Sequence, residues 1–339
     1  MWPTSATSPG CVPDAHELFW KSNFGCSKVD WAERIAGALP RTSPVTLVNV
    51  GANKGYKVPE FLSLWSQQRV ENHTLGWRKH LLAYARQQKS QSLKRFSCGN
   101  CKDCRAKRPP PHTRAGARVH LLEIAPANQQ LLRYVLDAER LDDVVTLHSL
   151  GASNVTQRVP IVKTVPPGEE RQGVLVGFKA RRFEQANATL HVDAVALDDL
   201  FRTERLDHVY QISIDTEGFD ALVLEGMRGT IARKQVSVIE FEVNQMGFWM
   251  PSHPERRTVR QIFKMLTSAG FGCFWSVEKA LLPATGACFD PTFDIARSLK
   301  WSNVVCAHEP EVLAILNEMA QEAYRERLRN PSPRRSHKR

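Results

Sequence analysis

The sequence lacks any uninterrupted apolar run of about 18 residues, the length at which a helix becomes a candidate for crossing a bilayer. Residues 1–5 carry neither the positive charge nor the apolar stretch with which a secretory signal peptide begins. Together these absences predict a cytoplasmic protein without a transmembrane segment. The 339 residues suffice for one large domain with a sizeable core.

Cysteine is sparse, with eight residues in 339, five of them scattered along the chain. So low a density does not predict a disulfide framework. The other three are Cys98, Cys101 and Cys104, and two-residue spacers of this kind let thiolates converge on a zinc ion or an iron–sulfur cluster. His112 is the nearest candidate for a fourth zinc ligand. The alternative is three reduced, exposed thiols in a flexible loop.

The net charge of +11 is concentrated in two segments. Twelve Lys and Arg residues against one acid lie between positions 78 and 118, and seven against one lie between 325 and 339. The rest of the chain has 33 acidic and 27 basic residues. Segments as basic and polar as these two are typical of solvated, poorly ordered chain. The charge therefore does not by itself indicate a nucleic-acid partner.

From residue 45 onward, short β-branched runs alternate with helical patterns, which predicts an α/β fold with a doubly wound, mostly parallel, Rossmann-like sheet. The predicted parallel strands are 45–50, 119–124, 144–148, 209–214 and 236–242, with a hairpin of 173–178 and 189–192 placed before the fourth. The predicted organisation is an N-terminal arm at 1–40, a domain at 41–309 that carries a basic, Cys-containing insertion at 66–116, and a helix with a basic tail at 310–339.

The first strand ends on Gly51-Ala52-Asn53-Lys54-Gly55, where ligands of open parallel sheets bind. Glycines there are expected to let the backbone approach a ligand closely. A dinucleotide pyrophosphate favours the three-glycine pattern Gly-x-Gly-x-x-Gly, but this turn has two glycines. S-adenosylmethionine (SAM) carries no phosphate and suits a shorter, more polar turn. Another nucleotide and an ordinary strand-to-helix turn are the alternatives.

Glu123 ends the second strand, where a carboxylate can accept both ribose hydroxyls of an adenosine cofactor. It lies 72 residues after Gly51 instead of the usual 20 or so, and the insertion at 66–116 accounts for the excess. The alternative is a surface glutamate that caps the next helix. Gly151 and Ala152, after the third strand, are expected beside the adenine.

Four motifs occur in order along the chain: residues 48–55, Ala196-Leu197-Asp198-Asp199-Leu200, residues 214–227 with the core Asp215-Thr216-Glu217-Gly218, and Ile239-Glu240-Phe241-Glu242. Together these motifs resemble the FkbM family of methyltransferases. The resemblance covers about 45–307 without the insertion. It implies a class I SAM-dependent methyltransferase fold and O-methylation of natural-product or sugar hydroxyls. Ala196 stands where the family usually has Thr, and Phe219 where it has a small residue.

Asp215 and Glu217 follow the fourth strand, where a carboxylate can take the proton of an acceptor hydroxyl as general base. The alternative roles are orientation of the cofactor's amino group by Asp215 and capping of the next helix by Glu217. Glu240, Glu242 and Asn244, at the end of the fifth strand, are further candidates for the base or simply a polar rim of the sheet.

Methylation of nucleic acid is disfavoured, because the fourth strand is followed by Asp-Thr-Glu-Gly in place of Asp/Asn-Pro-Pro-Tyr, and no cysteine follows a proline. We therefore expect a SAM-dependent O-methyltransferase whose acceptor is a hydroxyl of a small metabolite or glycan. One rival is a degenerate methyltransferase fold whose basic segments dock on RNA or acidic surfaces. The other is an NAD-dependent oxidoreductase, which the missing third glycine disfavours.

Overall fold

The computed structural model describes residues 11, 19, 26–27, 29–39, 42–66, 73–95, 98, 101, 116–164, 166–169, 189–294 and 301–329. Its strands are β1 (Val45–Val50), β2 (Ala117–Leu122), β3 (Val145–His148), β4 (Gly151–Ser153), β5 (Gln157–Val162), β6 (Thr189–Ala196), β7 (Val209–Ile214), β8 (Val236–Asn244), β9 (Gly272–Ser276), β10 (Leu281–Pro283) and β11 (Trp301–Ala307).

The helices are α1 (Trp31–Ala38), α2 (Lys57–Trp65), α3 (His73–Gln87), α4 (Gln91–Arg95), α5 (Pro126–Glu139), α6 (Leu197–Thr203), α7 (Asp220–Glu225), α8 (Arg228–Ala232), α9 (Val259–Ser268) and α10 (Pro310–Arg329). The helical segment after β7 is divided into α7 and α8, which are interrupted at Gly226 and Met227. None of the described helices is both long and apolar enough to cross a membrane.

The fold is mixed α/β, with a large sheet in the order β10-β9-β11-β8-β7-β1-β2-β3. Its strands β3, β2, β1, β7 and β8 pair in parallel, whereas β11, β9 and β10 add antiparallel pairs. Leu47 and Val48, neighbours on β1, enter different buried clusters because successive side chains of a strand point to opposite faces. The sheet is therefore covered on both faces, as a parallel sheet requires.

A second, three-stranded sheet has the order β4-β6-β5. The hairpin expected for residues 189–192 has a different partner, because β6 pairs antiparallel with β5 and parallel with β4. Residues 173–178, the expected partner, lie outside the described part of the chain.

Residues 73–95 lie within the segment expected to be solvated, and that expectation is wrong for them. They form α3 and α4, and Trp77, Leu81 and Leu93 are completely buried in the core cluster that also holds Leu47. The indole Nε1 of Trp77 donates to the backbone carbonyl of Lys54 at 2.6 Å. The first part of the basic segment thus packs against the turn that follows β1.

Disulfide bonds join Cys11 to Cys288, Cys26 to Cys101 and Cys273 to Cys306. Cys98 is disulfide-bonded as well, and none of the described cysteines is free. The expectation that the chain has no disulfide framework is therefore wrong. Pairings between positions as far apart as 11 and 288 depend on the fold and leave no spacing signal in the sequence.

Candidate functional site

The carboxyl ends of β1 and β7 form the centre of the candidate site. The strand order reverses between these two neighbours, and ligands of open α/β sheets bind at such a point. Gly51 follows β1 and Asp215 follows β7, and the Asp215 amide donates to the Val50 carbonyl at 3.0 Å. The predicted cofactor turn and the predicted catalytic residue therefore lie side by side.

Gly51 and Gly55 are required by the backbone conformation of the turn and by protein packing. Both have positive φ, +79° and +74°. A Cβ on Gly51 would overlap the backbone carbonyl of Asp215, and a Cβ on Gly55 would lie 2.7 Å from both Trp77 and Leu132. The two glycines let the turn pack tightly between β7 and the helices α3 and α5.

The Glu123 carboxylate lies under this turn and is 4 % exposed. One oxygen accepts the Asn53 amide at 2.6 Å, and the other accepts the Ala125 amide at 2.8 Å. Burial raises the pKa of Glu123, and its hydrogen bonds to Ala125, Asn53 and Asn128 oppose that rise. Helix α5 begins at Pro126, and Glu123 accepts the amide of its cap residue Ala125, but Glu123 is buried and not the surface residue of the capping alternative.

Asn53 joins the turn to the segment 166–169. Its Nδ2 donates to the Glu169 carbonyl at 3.1 Å, and the buried Lys54 ammonium donates to the Gly168 carbonyl at 3.0 Å. The Oδ1 atom of Asn53 is buried and accepts no hydrogen bond from the described residues. A buried amide oxygen without a donor is costly, so this atom is suited to accept from a bound ligand.

Gly151 and Ala152 form the beginning of β4, beyond the end of β3. A Cβ on Gly151 would lie 2.6 Å from the side chain of Ile124, the residue after Glu123. The structure therefore brings this pair to the Glu123 side of the site. Gly51, Ala52, Asn53, Gly55 and Glu123, the other predicted cofactor residues, lie at the same sheet edge.

Four carboxyl groups interact beyond β7 and β8. Asp215 is exposed and Glu217 is half-buried with a positive φ of 54°, whereas Asp220 and Glu242 are buried. Burial, and then the Asp215 charge, raise the pKa of Asp220 to about 7. Burial, followed by the charges of Asp215, Asp220 and Glu217, raises the pKa of Glu242 to about 10. At neutral pH Glu242 therefore holds a proton, whereas Asp220 is close to the midpoint of its titration.

Hydrogen bonds fix the two buried acids. Asp220 accepts from the Thr216 hydroxyl at 3.0 Å and from the Glu242 amide at 3.2 Å, and Glu242 accepts from Asn244 Nδ2 at 2.8 Å. Phe219 occupies the cap position of α7 and its own side chain makes no cap hydrogen bond, so the capping role of Glu217 stays a prediction. Sequence reasoning missed Asp220, although it lies inside the quoted motif.

Glu240, another candidate base, is already paired. Its Oε2 accepts from the Lys57 ammonium at 2.7 Å and from the Ser213 hydroxyl at 3.1 Å. These contacts tie β8 to β7 and to the first turn of α2. Lys57 was not predicted, because nothing in the sequence distinguishes it from a surface lysine.

The motif at 196–200 has a structural role. The Asp198 carboxylate accepts the Gly229 amide at 2.9 Å, and the amide and hydroxyl of Thr230 both at 2.6 Å. It therefore satisfies the free N–H groups at the start of α8.

The predicted zinc or iron–sulfur site at Cys98, Cys101 and Cys104 is corrected by the disulfides. Cys101 is bonded to Cys26, and Cys98 is bonded too, so neither sulfur is a thiolate able to coordinate a metal. The alternative of reduced thiols fails for the same reason. Cys104 and the suggested fourth ligand His112 lie outside the described residues.

Comparison with known proteins finds a match to one family model. The family model described as a methyltransferase FkbM domain matches residues 49–272. A solved structure, methyltransferase FkbM from Methylobacillus flagellatus KT, aligns at 16% sequence identity and a TM-score of 0.32 over 67% of this chain and 39% of that one. The chain thus spans about two fifths of the length of that protein. No curated protein matches it.

Proposed function

The chain belongs to the FkbM methyltransferase family, and we propose that it is a SAM-dependent enzyme that methylates a hydroxyl group of a small metabolite or glycan. The observation that carries the proposal is the shared edge of β1, β2 and β7. Asn53 with a buried acceptor oxygen, Glu123 with a buried carboxylate and Asp215 with an exposed one all lie there.

The sheet supports the finer proposal of a class I methyltransferase fold. Numbered along the chain, the parallel strands β1, β2, β3, β7 and β8 follow the order 3-2-1-4-5 of doubly wound folds. In dinucleotide-binding folds a sixth parallel strand lies beside the fifth. Here the strand beside β8 is β11, which is antiparallel to it. This departure favours SAM over NAD as the cofactor.

The turn and Glu123 would hold the cofactor. The Glu123 carboxylate already accepts from Asn53, Ala125 and Asn128, so a ribose hydroxyl would share an oxygen with one of these donors. Asn53 Oδ1 would accept an N–H or O–H of the same ligand. Gly151 and Ala152 would border the adenine. The residues present thus fit a ligand that offers several donors and no phosphate.

Bound SAM would supply a methyl group on a positively charged sulfur. The protein would then have to align an acceptor hydroxyl and remove its proton. We assign the proton acceptor to Asp215, with Glu217 as the second candidate, because Asp220 and Glu242 are buried and Glu240 is bonded to Lys57. The protonated Glu242 lowers the negative charge beside Asp215, which leaves one exposed carboxylate to act.

Methyl transfer can be tested with methyl-labelled SAM and a panel of hydroxylated metabolites and glycans. Label that enters an acceptor and survives mild alkali is not a methyl ester, and mass spectrometry of the product then shows whether the methyl group lies on oxygen. The exposed substitution Asp142→Asn is a matched control that should keep full activity, and Glu123→Ala should lose it. Absence of SAM binding together with tight RNA binding would instead support the degenerate docking module.

We propose that the chain folds in an oxidising cellular compartment, because its described cysteines form disulfide bonds. Disulfides are rare in the cytosol, where thiols are kept reduced, so they count against the cytoplasmic expectation. Peptide mapping of the natural protein without reductant should recover the peptides of Cys11 and Cys288 joined. Recovery of both peptides as free thiols would contradict the proposal.

A further inference from the structure

Two histidines meet at the edge of the large sheet, away from the turn at Gly51. His120 lies on β2 and His148 ends the edge strand β3. Leu122 pairs with His148 in register, so His120 and His148 project from the same face, two positions apart. His120 Nδ1 and His148 Nε2 are 3.0 Å apart, and the ring planes differ by only 12°.

A carboxylate completes this cluster. Glu204 follows the last residue of α6, and a carboxylate oxygen of Glu204 and one ring nitrogen of each histidine all lie within 4.8 Å of one another. The three residues come from β2, β3 and the end of α6, which the fold holds in fixed positions. Both histidines and Glu204 are half-buried.

We propose that His120, His148 and Glu204 form a binding site for a divalent transition metal, with zinc as the best-suited ion. Two imidazole nitrogens bound to one tetrahedral zinc at about 2.0–2.1 Å must lie about 3.3 Å apart. The observed separation of 3.0 Å is within a few tenths of an ångström of that value. Two histidines and one carboxylate are also a common ligand set of zinc sites that keep a fourth position open to water.

The surroundings favour a cation in this position. Neutral imidazole nitrogens are the form of histidine that coordinates a metal, and both rings are half-buried at the edge of the sheet. Glu204 supplies the only negative charge among the electrostatic partners of His120, and Arg118 opposes it. A bound ion would replace the single hydrogen bond between the rings by coordination to both.

The metal would tie the edge strand to its neighbour and to α6. The His148 carbonyl accepts the Glu123 amide at 3.2 Å, so the site adjoins the proposed cofactor carboxylate through the backbone. Metal binding does not depend on methyl transfer, and it is measured without SAM. Failure of this inference would therefore leave the proposed function intact.

Binding should be measured on the full chain, without a polyhistidine tag and without reductant. After treatment with EDTA and its removal, zinc is titrated by calorimetry, and cobalt is added separately to record visible absorption. We expect one zinc per chain and the strong visible bands of tetrahedral cobalt. Zinc should also raise the unfolding temperature of the protein.

Three conservative variants test the ligands: His120→Gln, His148→Gln and Glu204→Gln. Each should weaken zinc binding at least about tenfold and remove the thermal shift. His191→Gln, an exposed histidine on β6, is the matched control and should bind as the parent does. Because Glu204 follows the end of α6 and lies on no strand, its variant is expected to fold even where a strand variant does not. Equal zinc affinity in the parent and Glu204→Gln, or no binding by the parent, would overturn the proposal.

Discussion

The backbone carbonyl of Asp215 fills the space that a Cβ on Gly51 would need, so the turn after β1 and the residue after β7 pack in direct contact. This relationship makes the junction of the two strands rigid and places the proposed cofactor turn beside the proposed base. A side chain on Gly51 would displace the Asp215 backbone, whereas a change of the Asp215 side chain leaves this contact in place.

Gly51→Ala should therefore disrupt the site. The new Cβ would clash with backbone and would require a positive φ, which together cost about 2–5 kcal/mol of the free energy of unfolding. Gly116→Ala is the matched control, because its Cβ would meet only Pro44 at 3.9 Å. Denaturant unfolding compares the two. Equal stability of the two variants would show that the junction can relax.

The segment before β2 gives a second prediction. Trp77 is completely buried and bonded to the Lys54 carbonyl, so Trp77→Ala should cost about 3–5 kcal/mol of stability. Replacement of residues 66–116 by a short Gly/Ser linker should unfold the domain, although a solvated insertion would tolerate it. Circular dichroism and thermal unfolding measure both changes. A native-like melting temperature after the deletion would show that α3 is dispensable.

Stability should depend on pH through Asp220. Because its pKa is raised in the folded state to about 7, its contribution is fully present below the unfolded value near 3.8 and is lost as the pH rises through 7. Asp220→Asn removes the cost of burying the charge, worth about 1.4 kcal/mol per pKa unit. The variant should therefore melt at a higher temperature than the parent at pH 8, and the difference should shrink toward pH 4. A constant difference across this range would contradict the assignment.

The proposed base predicts a separation of binding from catalysis. Asp215→Asn keeps the shape of the side chain but cannot take a proton, so turnover should fall about 10²- to 10⁴-fold with SAM affinity nearly kept. Glu217→Gln should have the smaller effect if Asp215 is the base. Loss of SAM affinity before turnover would assign Asp215 to the cofactor's amino group. Normal turnover in both variants would direct attention to Glu242 and to His253, which packs against Phe248.

Much of the sheet could be predicted because buried strands have strong local patterns. The bounds of β1 and β7 were predicted to the residue, and Glu123 was found from its position after the second strand. Helix α3 also had a signal that was missed: Trp77, Leu81, Tyr84 and Ala85 recur at helical spacing within a basic segment. The strong positive charge of this segment obscures its helical periodicity.

Other features have no local pattern. The disulfides and the contact between His120 and His148 join residues that the fold alone brings together. The packing that requires Gly51 depends likewise on the neighbouring strand β7, so the sequence predicted the glycine turn but not its reason. Tertiary contacts of this kind depend on the register of strands that are distant along the chain.

The most direct test of the account is calorimetric titration of the purified chain with SAM, in the parent and in Glu123→Gln. We expect one SAM per chain and a loss of about 1–3 kcal/mol of binding free energy in the variant, since the amide offers one acceptor oxygen where the carboxylate offers two. Asp142→Asn should bind as the parent does. No SAM binding by the folded parent, or equal affinity in Glu123→Gln, would contradict a cofactor site at the ends of β1 and β2.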